Sequence, residues 1–175
     1  LSNGIKYFCV GLNKTGTTSL AAAFRGFGYR VGDESQGQKI LYAYERRDFK
    51  PIIKFAKQAQ VFQDAPFSFK YTFMFLEQAF PNAKFILSVR DSEEQWYESL
   101  VKFHSKRFGM NGQVPTMDDL KRAKRPYNRC VYDNFKMCFG TPDSDMYQKA
   151  TLIEYYNSHN QMVRDYFRLV PEKLL

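Results

Sequence analysis

The residues of this chain best suited to chemistry lie near its start, in Gly11-Leu12-Asn13-Lys14-Thr15-Gly16-Thr17-Thr18-Ser19-Leu20. Glycines let the backbone approach a ligand, the hydroxyls can donate hydrogen bonds, and Lys14 supplies a positive charge. The run follows Ile5-Lys6-Tyr7-Phe8-Cys9-Val10, which reads as a buried strand, and leads into 17–27, which reads as a helix closed by Gly28. A loop in that setting aims successive N–H groups at an anion and adds the positive end of the helix dipole. The tripeptide Asn13-Lys14-Thr15 also matches a glycosylation acceptor, but a glycan there would block the loop.

Other reactive side chains are sparse. His104 and His159 are the two histidines, each on a predicted helix, where a structural role is expected. Of the three cysteines, Cys9 falls inside the first strand as a buried thiol, while Cys130 and Cys138 could pair. An odd total without a framework favours a reducing compartment, so a cytoplasmic location is expected. No Cys/His cluster has ligand spacing, and no metal is expected.

The elements that must position the loop alternate between strand and helix. A helical stretch over roughly 38–58, interrupted near Pro51, precedes a short strand, Gln60-Val61-Phe62-Gln63, stopped by Asp64-Ala65-Pro66. A Phe-rich helix over 68–80 is punctuated by Pro81-Asn82, and the clearest strand follows at 83–89 with Arg90 at its end. Ser92 is an N-cap, with Glu93 and Glu94 in the first turn of a helix running past Trp96 towards Phe103. The stretch 109–145 is the least regular, with one short helix at 117–123; a last helix covers about 146–169, and 171–175 resembles the start of another strand. Alternating strands and helices imply a parallel sheet with ligands at the carboxyl ends of its strands.

The interval from Gly11 to Gly16 is that of a Walker A loop, but Thr17 replaces the expected Lys. A kinase uses that Lys on the β- and γ-phosphates and the next hydroxyl on Mg²⁺. Here the loop cation is Lys14, which suits a donor without a γ-phosphate.

On these residues the chain resembles the sulfotransferase superfamily. Lys14-Thr15-Gly16-Thr17-Thr18-Ser19 is similar to its 5′-phosphosulfate loop, usually Lys or Arg, Ser, Gly, Thr, Thr. The resemblance implies an α/β, P-loop NTPase-like three-layer domain with a central parallel sheet flanked by helices. It further implies 3′-phosphoadenosine 5′-phosphosulfate (PAPS) as co-substrate, with 14–19 as its loop. In the family an Arg at the end of the third strand and a Ser on the next helix hold the 3′-phosphate. Arg90 matches directly; Ser99 lies one residue beyond the usual place. The alternatives are an ion pair of Arg90 with Asp91 or Glu94, and a surface serine. Lys14 is implied to stabilise the leaving phosphate. Members with a catalytic His after the second strand have it where this chain has Gln63-Asp64-Ala65-Pro66, making Asp64 the candidate base, or else the cap of the helix after Pro66. The Trp96-Tyr97 pair and the late Tyr155-Tyr156-Asn157-Ser158-His159-Asn160 through Tyr166-Phe167 extend the likeness over nearly the whole chain.

Bulk properties bound these expectations. A chain of 175 residues with 17 Phe and 12 Tyr can bury one substantial core, so a single domain over 1–175 is expected, with the natural protein continuing past Leu175 as one alternative. The first residues, Leu1-Ser2-Asn3-Gly4, have neither the basic flank nor the long apolar run of a leader, and no apolar run is long enough to span a membrane. The net charge of +8 suits a polyanionic ligand. Much of the excess lies in Lys102, Lys106, Arg107, Lys121, Arg122, Lys124, Arg125 and Arg129, either a solvated face or an anion-facing lid, and the resemblance lets Lys121 to Arg129 stand in for the family's basic C-terminal segment. The expected partners are the nucleotide donor and an acceptor, small molecule or glycan, with a hydroxyl or amine. No nucleic-acid motif is present, and the sequence does not fix the oligomeric state. Two other readings compete: a P-loop small-molecule kinase, and a non-catalytic nucleotide- or nucleic-acid-binding module.

Overall fold

Three apolar segments pair through their backbones into a parallel sheet: β1 (Tyr7–Cys9), β2 (Val61–Phe62) and β3 (Lys84–Ile86), in the order β2-β1-β3. The computed structural model describes residues 4–124 and 126–175; Leu1 to Asn3 and Arg125, members of the first residues and of the basic stretch noted above, lie outside the described residues. Phe8 pairs with Phe62 on one side and Phe85 on the other. A central strand flanked on both sides must be apolar throughout, and Phe8 and Cys9 are fully buried. The Phe8 ring lies 5.5–5.9 Å from those of Phe62, Phe67, Phe80 and Phe85. Each buried Phe contributes on the order of 2 kcal/mol. Because β2 and β3 lie on opposite sides of β1, the carboxyl end of β1 is where the chain's crossovers diverge, the usual ligand position in such sheets.

The helices are α1 (Thr17–Gly26), α2 (Glu34–Lys39), α3 (Leu41–Glu45), α4 (Lys50–Ala56), α5 (Thr72–Ala79), α6 (Glu93–Phe108), α7 (Met117–Arg122), α8 (Cys130–Phe139) and α9 (Lys149–Phe167). The expected α/β class with helices flanking a parallel sheet is present. Gly28 closes α1 with φ 81°, and the Ser92 hydroxyl caps α6 by accepting from the Gln95 N–H at 3.1 Å.

Several boundaries differ from the sequence expectation. The stretch 38–58 holds the end of α2 and then two short helices, α3 and α4; Pro51 lies in the first turn of α4, where it needs no N–H donor, so the break before α4 falls earlier, at Arg47 with φ 57°. The Phe-rich helix starts at Thr72 because Tyr71 is left-handed, with φ 69°. A helix, α8, occupies part of the segment expected to be irregular. It buries Cys130, Tyr132, Phe135, Cys138 and Phe139 and ends at Gly140 with φ 66°. At the end of the chain, a 3₁₀ turn (Pro171–Lys173) leads to a single parallel bridge between Leu174 and Phe85.

The described residues up to Val89, with His159–Leu175, make one compact unit, and Arg90–Ser158 make a second. The sheet and α1–α5 lie in the first, while α6, α7 and α8 lie in the second. No helix of the described residues is long and apolar enough to cross a membrane.

Candidate active site

In the first unit, the loop leaves β1 at the carboxyl end of the central strand. Lys14 and Gly16 both take left-handed backbone, φ 68° and 96°, and Gly16 is the N-cap of α1. Gly16, having no side chain, gives this helix no side-chain cap for its first-turn N–H groups. Left-handed residues alternating with ordinary ones curl a chain so that its N–H groups converge. Thr17 is buried at 3% exposure as the first helical residue, whereas Thr18 and Ser19 are exposed in the first turn. The Thr15 hydroxyl is turned inward: it donates to the Leu12 carbonyl at 2.6 Å. The hydroxyl's one proton is therefore committed within the loop.

The loop rests on the end of the β3 segment. A Cβ on Gly11 would lie 2.4 Å from the Ser88 carbonyl oxygen and 2.9 Å from its nitrogen, distances no side chain tolerates. Gly11 is therefore required by the close approach of two backbones. Buried His159 donates from Nε2 to the Val10 carbonyl at 2.8 Å, and burial pushes its imidazole down to about 4. It stays neutral at pH 7, as befits the structural role expected of it.

Asp64 follows β2 with φ 59°, half-buried, and its carboxylate accepts from the Ala65 N–H at 3.2 Å. Burial pushes its carboxyl up to about 6, the nearby Glu34 charge adds to the rise, and the Ala65 N–H and the Lys14 ammonium oppose it. Asp64 caps no helix: α5 begins eight residues later without a side-chain cap. The position combines a carboxylate of raised proton affinity with the loop's own cation.

In the second unit, Arg90 and Ser99 come together, with Nη2 3.5 Å from the Ser99 Oγ. The Arg90 backbone N–H donates to the Tyr156 hydroxyl at 2.9 Å, and Tyr156 stacks on Trp96 at 4.6 Å. The two acids weighed as partners of Arg90 have other contacts. Glu94 pairs with Lys149 at 2.5 Å, and Asp91 accepts from the Gln95 amide at 3.4 Å. His104, also buried, lies 2.8 Å from the Tyr147 hydroxyl among aromatic rings.

Part of the basic stretch is held locally. Arg122 pairs with Asp119 at 2.7 Å and Arg129 with Asp133 at 3.6 Å, while Lys121 and Arg129 lie over the Tyr132 ring. Cys9, Cys130 and Cys138 are buried free thiols. Among the described residues, no group of three or more His, Cys, Asp and Glu is placed to hold a metal.

Sequence reasoning missed Ser88, Glu34 and Tyr156 as neighbours of these residues. Ser88 carried a signal as a hydroxyl ending the apolar Phe85-Ile86-Leu87, and Tyr156 as part of the late Tyr155-Tyr156-Asn157 motif; Glu34 carried none. Residues 6–175 match the family model described as "Sulfotransferase domain". No curated protein matches the chain in sequence.

Proposed function

Because the chain belongs to the sulfotransferase-domain family, we propose that it moves a sulfuryl group from PAPS to a hydroxyl or amine of an acceptor. The observation that carries this reading is the uncapped start of α1 beneath left-handed Lys14 and Gly16, at the carboxyl end of the central strand. Such an arrangement favours a bound phosphate or sulfate ester.

In this reading Lys14 and the N–H groups of 15–19 hold the 5′-phosphosulfate and take up negative charge on the departing phosphate oxygen. Arg90 and Ser99 take the 3′-phosphate, for which a guanidinium fork is the better-matched cation. Asp64 removes the acceptor's proton as the new bond to sulfur forms and the bond between sulfur and the phosphate oxygen breaks. A carboxyl at about 6 is ionised at pH 7 yet basic enough to accept that proton. Lys14, close enough to lower the Asp64 carboxyl, links donor and acceptor chemistry through one charge. Three buried free thiols favour a reducing, cytoplasmic setting.

Calorimetric titration with adenosine 3′,5′-bisphosphate, beside adenosine 5′-monophosphate, tests this directly. The bisphosphate should bind at least tenfold tighter, and Arg90→Ala should remove the difference. Equal affinities in the unaltered protein would end the reading.

A further inference from the structure

The Thr15 and Ser88 hydroxyl oxygens lie 2.7 Å apart, and either could be the donor on distance alone. The proton inventory decides it. A hydroxyl carries one hydrogen, and that of Thr15 goes to the Leu12 carbonyl, which can only accept. Ser88 is thus the donor to Thr15, and the order runs from Ser88 to Thr15 to Leu12.

We propose that Ser88 is a positioning residue for the anion loop, fixing through its hydroxyl the inward rotamer of Thr15 and thereby the left-handed turn at Lys14. Thr15 is 8% exposed and Ser88 half-buried, so water competes poorly for either oxygen. Lys14 pays a conformational penalty for its positive φ, and such backbone persists where neighbours on both sides hold it. Leu12 and Thr15 bracket Lys14 through one side-chain hydrogen bond, and Ser88 holds the residue that makes it. The Ser88 backbone meanwhile lies against Gly11, so the same residue fixes the loop at its entry and beside its lysine. Nothing in this role requires Ser88 to touch the donor. The link to catalysis rests on the function proposed above; the loop geometry does not.

The test uses the full chain as Ser88→Ala, Thr15→Val, the double variant, and Thr15→Ser as the conservative control. Limited trypsin cleavage after Lys14, without ligand, reads the loop alone. It should be about tenfold faster in Ser88→Ala and Thr15→Val, unaltered in Thr15→Ser, and unaltered after Lys57 in all. Affinity for adenosine 3′,5′-bisphosphate should fall about tenfold in each single variant and no further in the double, because one relay is broken once. Cleavage after Lys14 at the unaltered rate in Ser88→Ala overturns the proposal, and so does a double variant whose losses multiply. If the unaltered protein fails to bind the bisphosphate, the donor reading falls, while the cleavage rates still decide the role of Ser88.

Discussion

His159 donates from Nε2 to the Val10 carbonyl at 2.8 Å, joining a fully buried imidazole to the last residue before the loop between β1 and α1. The bond fixes the imidazole tautomer, since a carbonyl only accepts, and satisfies a buried carbonyl where the strand ladder ends.

His159→Ala removes this donor and leaves a cavity. Stability should fall by about 3 kcal/mol, measured by urea denaturation. His159→Gln, which can still donate, should recover about half of that. Equal losses in both variants would mean that volume alone matters.

The pH dependence of stability should show two opposing slopes. Asp64 has its carboxyl raised from 3.8 to about 6, so its contribution is present below 3.8 and is lost as pH rises through about 6. His159 is lowered from 6.5 to about 4, so its contribution is present above 6.5 and is lost as pH falls through about 4. Glu34 and Lys14 act on the first group, and Lys70 on the second. The unaltered protein should be nearly flat between these limits. Asp64→Asn should lose stability on acidification at up to about 1.4 kcal/mol per unit, and His159→Gln should gain it. Identical profiles for the two variants would contradict both assignments.

In the proposed role of general base, Asp64 must be ionised. The kcat/KM should rise about tenfold per pH unit below about 6 and level off above it, and Asp64→Asn should lower kcat by about 10²- to 10⁴-fold. An Asp64→Asn variant with the same turnover and the same pH profile would remove Asp64 from the chemistry.

Gly11→Ala places a Cβ 2.4 Å from the Ser88 carbonyl oxygen, so one backbone must move. Destabilisation of about 2 kcal/mol is expected, with loss of bisphosphate binding of tenfold or more. Thermal melts and calorimetry check this; Gly11→Ala with unchanged affinity would show that the loop tolerates the shift.

Tyr156→Phe removes the acceptor of the Arg90 N–H. Affinity for the 3′,5′-bisphosphate should fall several-fold while that for the 5′-monophosphate holds, as read by calorimetry. A parallel fall in both would place the effect elsewhere.

Sequence alone determined the strand, loop and helix over 5–28, because the strand, the glycines and the helix after them are neighbours in the chain and their conformations are local. The Ser92 cap and the Gly28 terminator were legible for the same reason. The helix α8 was not, since its start at left-handed Arg129 offers no capping side chain, and charged residues, Gly and Pro surround it in sequence. Only the tertiary structure decided that the Thr15 hydroxyl faces inward. Its partner Ser88 is 73 residues away, and His159 lies 149 residues from Val10. The proton affinity of Asp64 is likewise tertiary, since it depends on burial and on the fields of Glu34 and Lys14, which come from separate segments. Residue type and spacing state which groups are available; only the folded chain settles which of their protons and lone pairs are already taken.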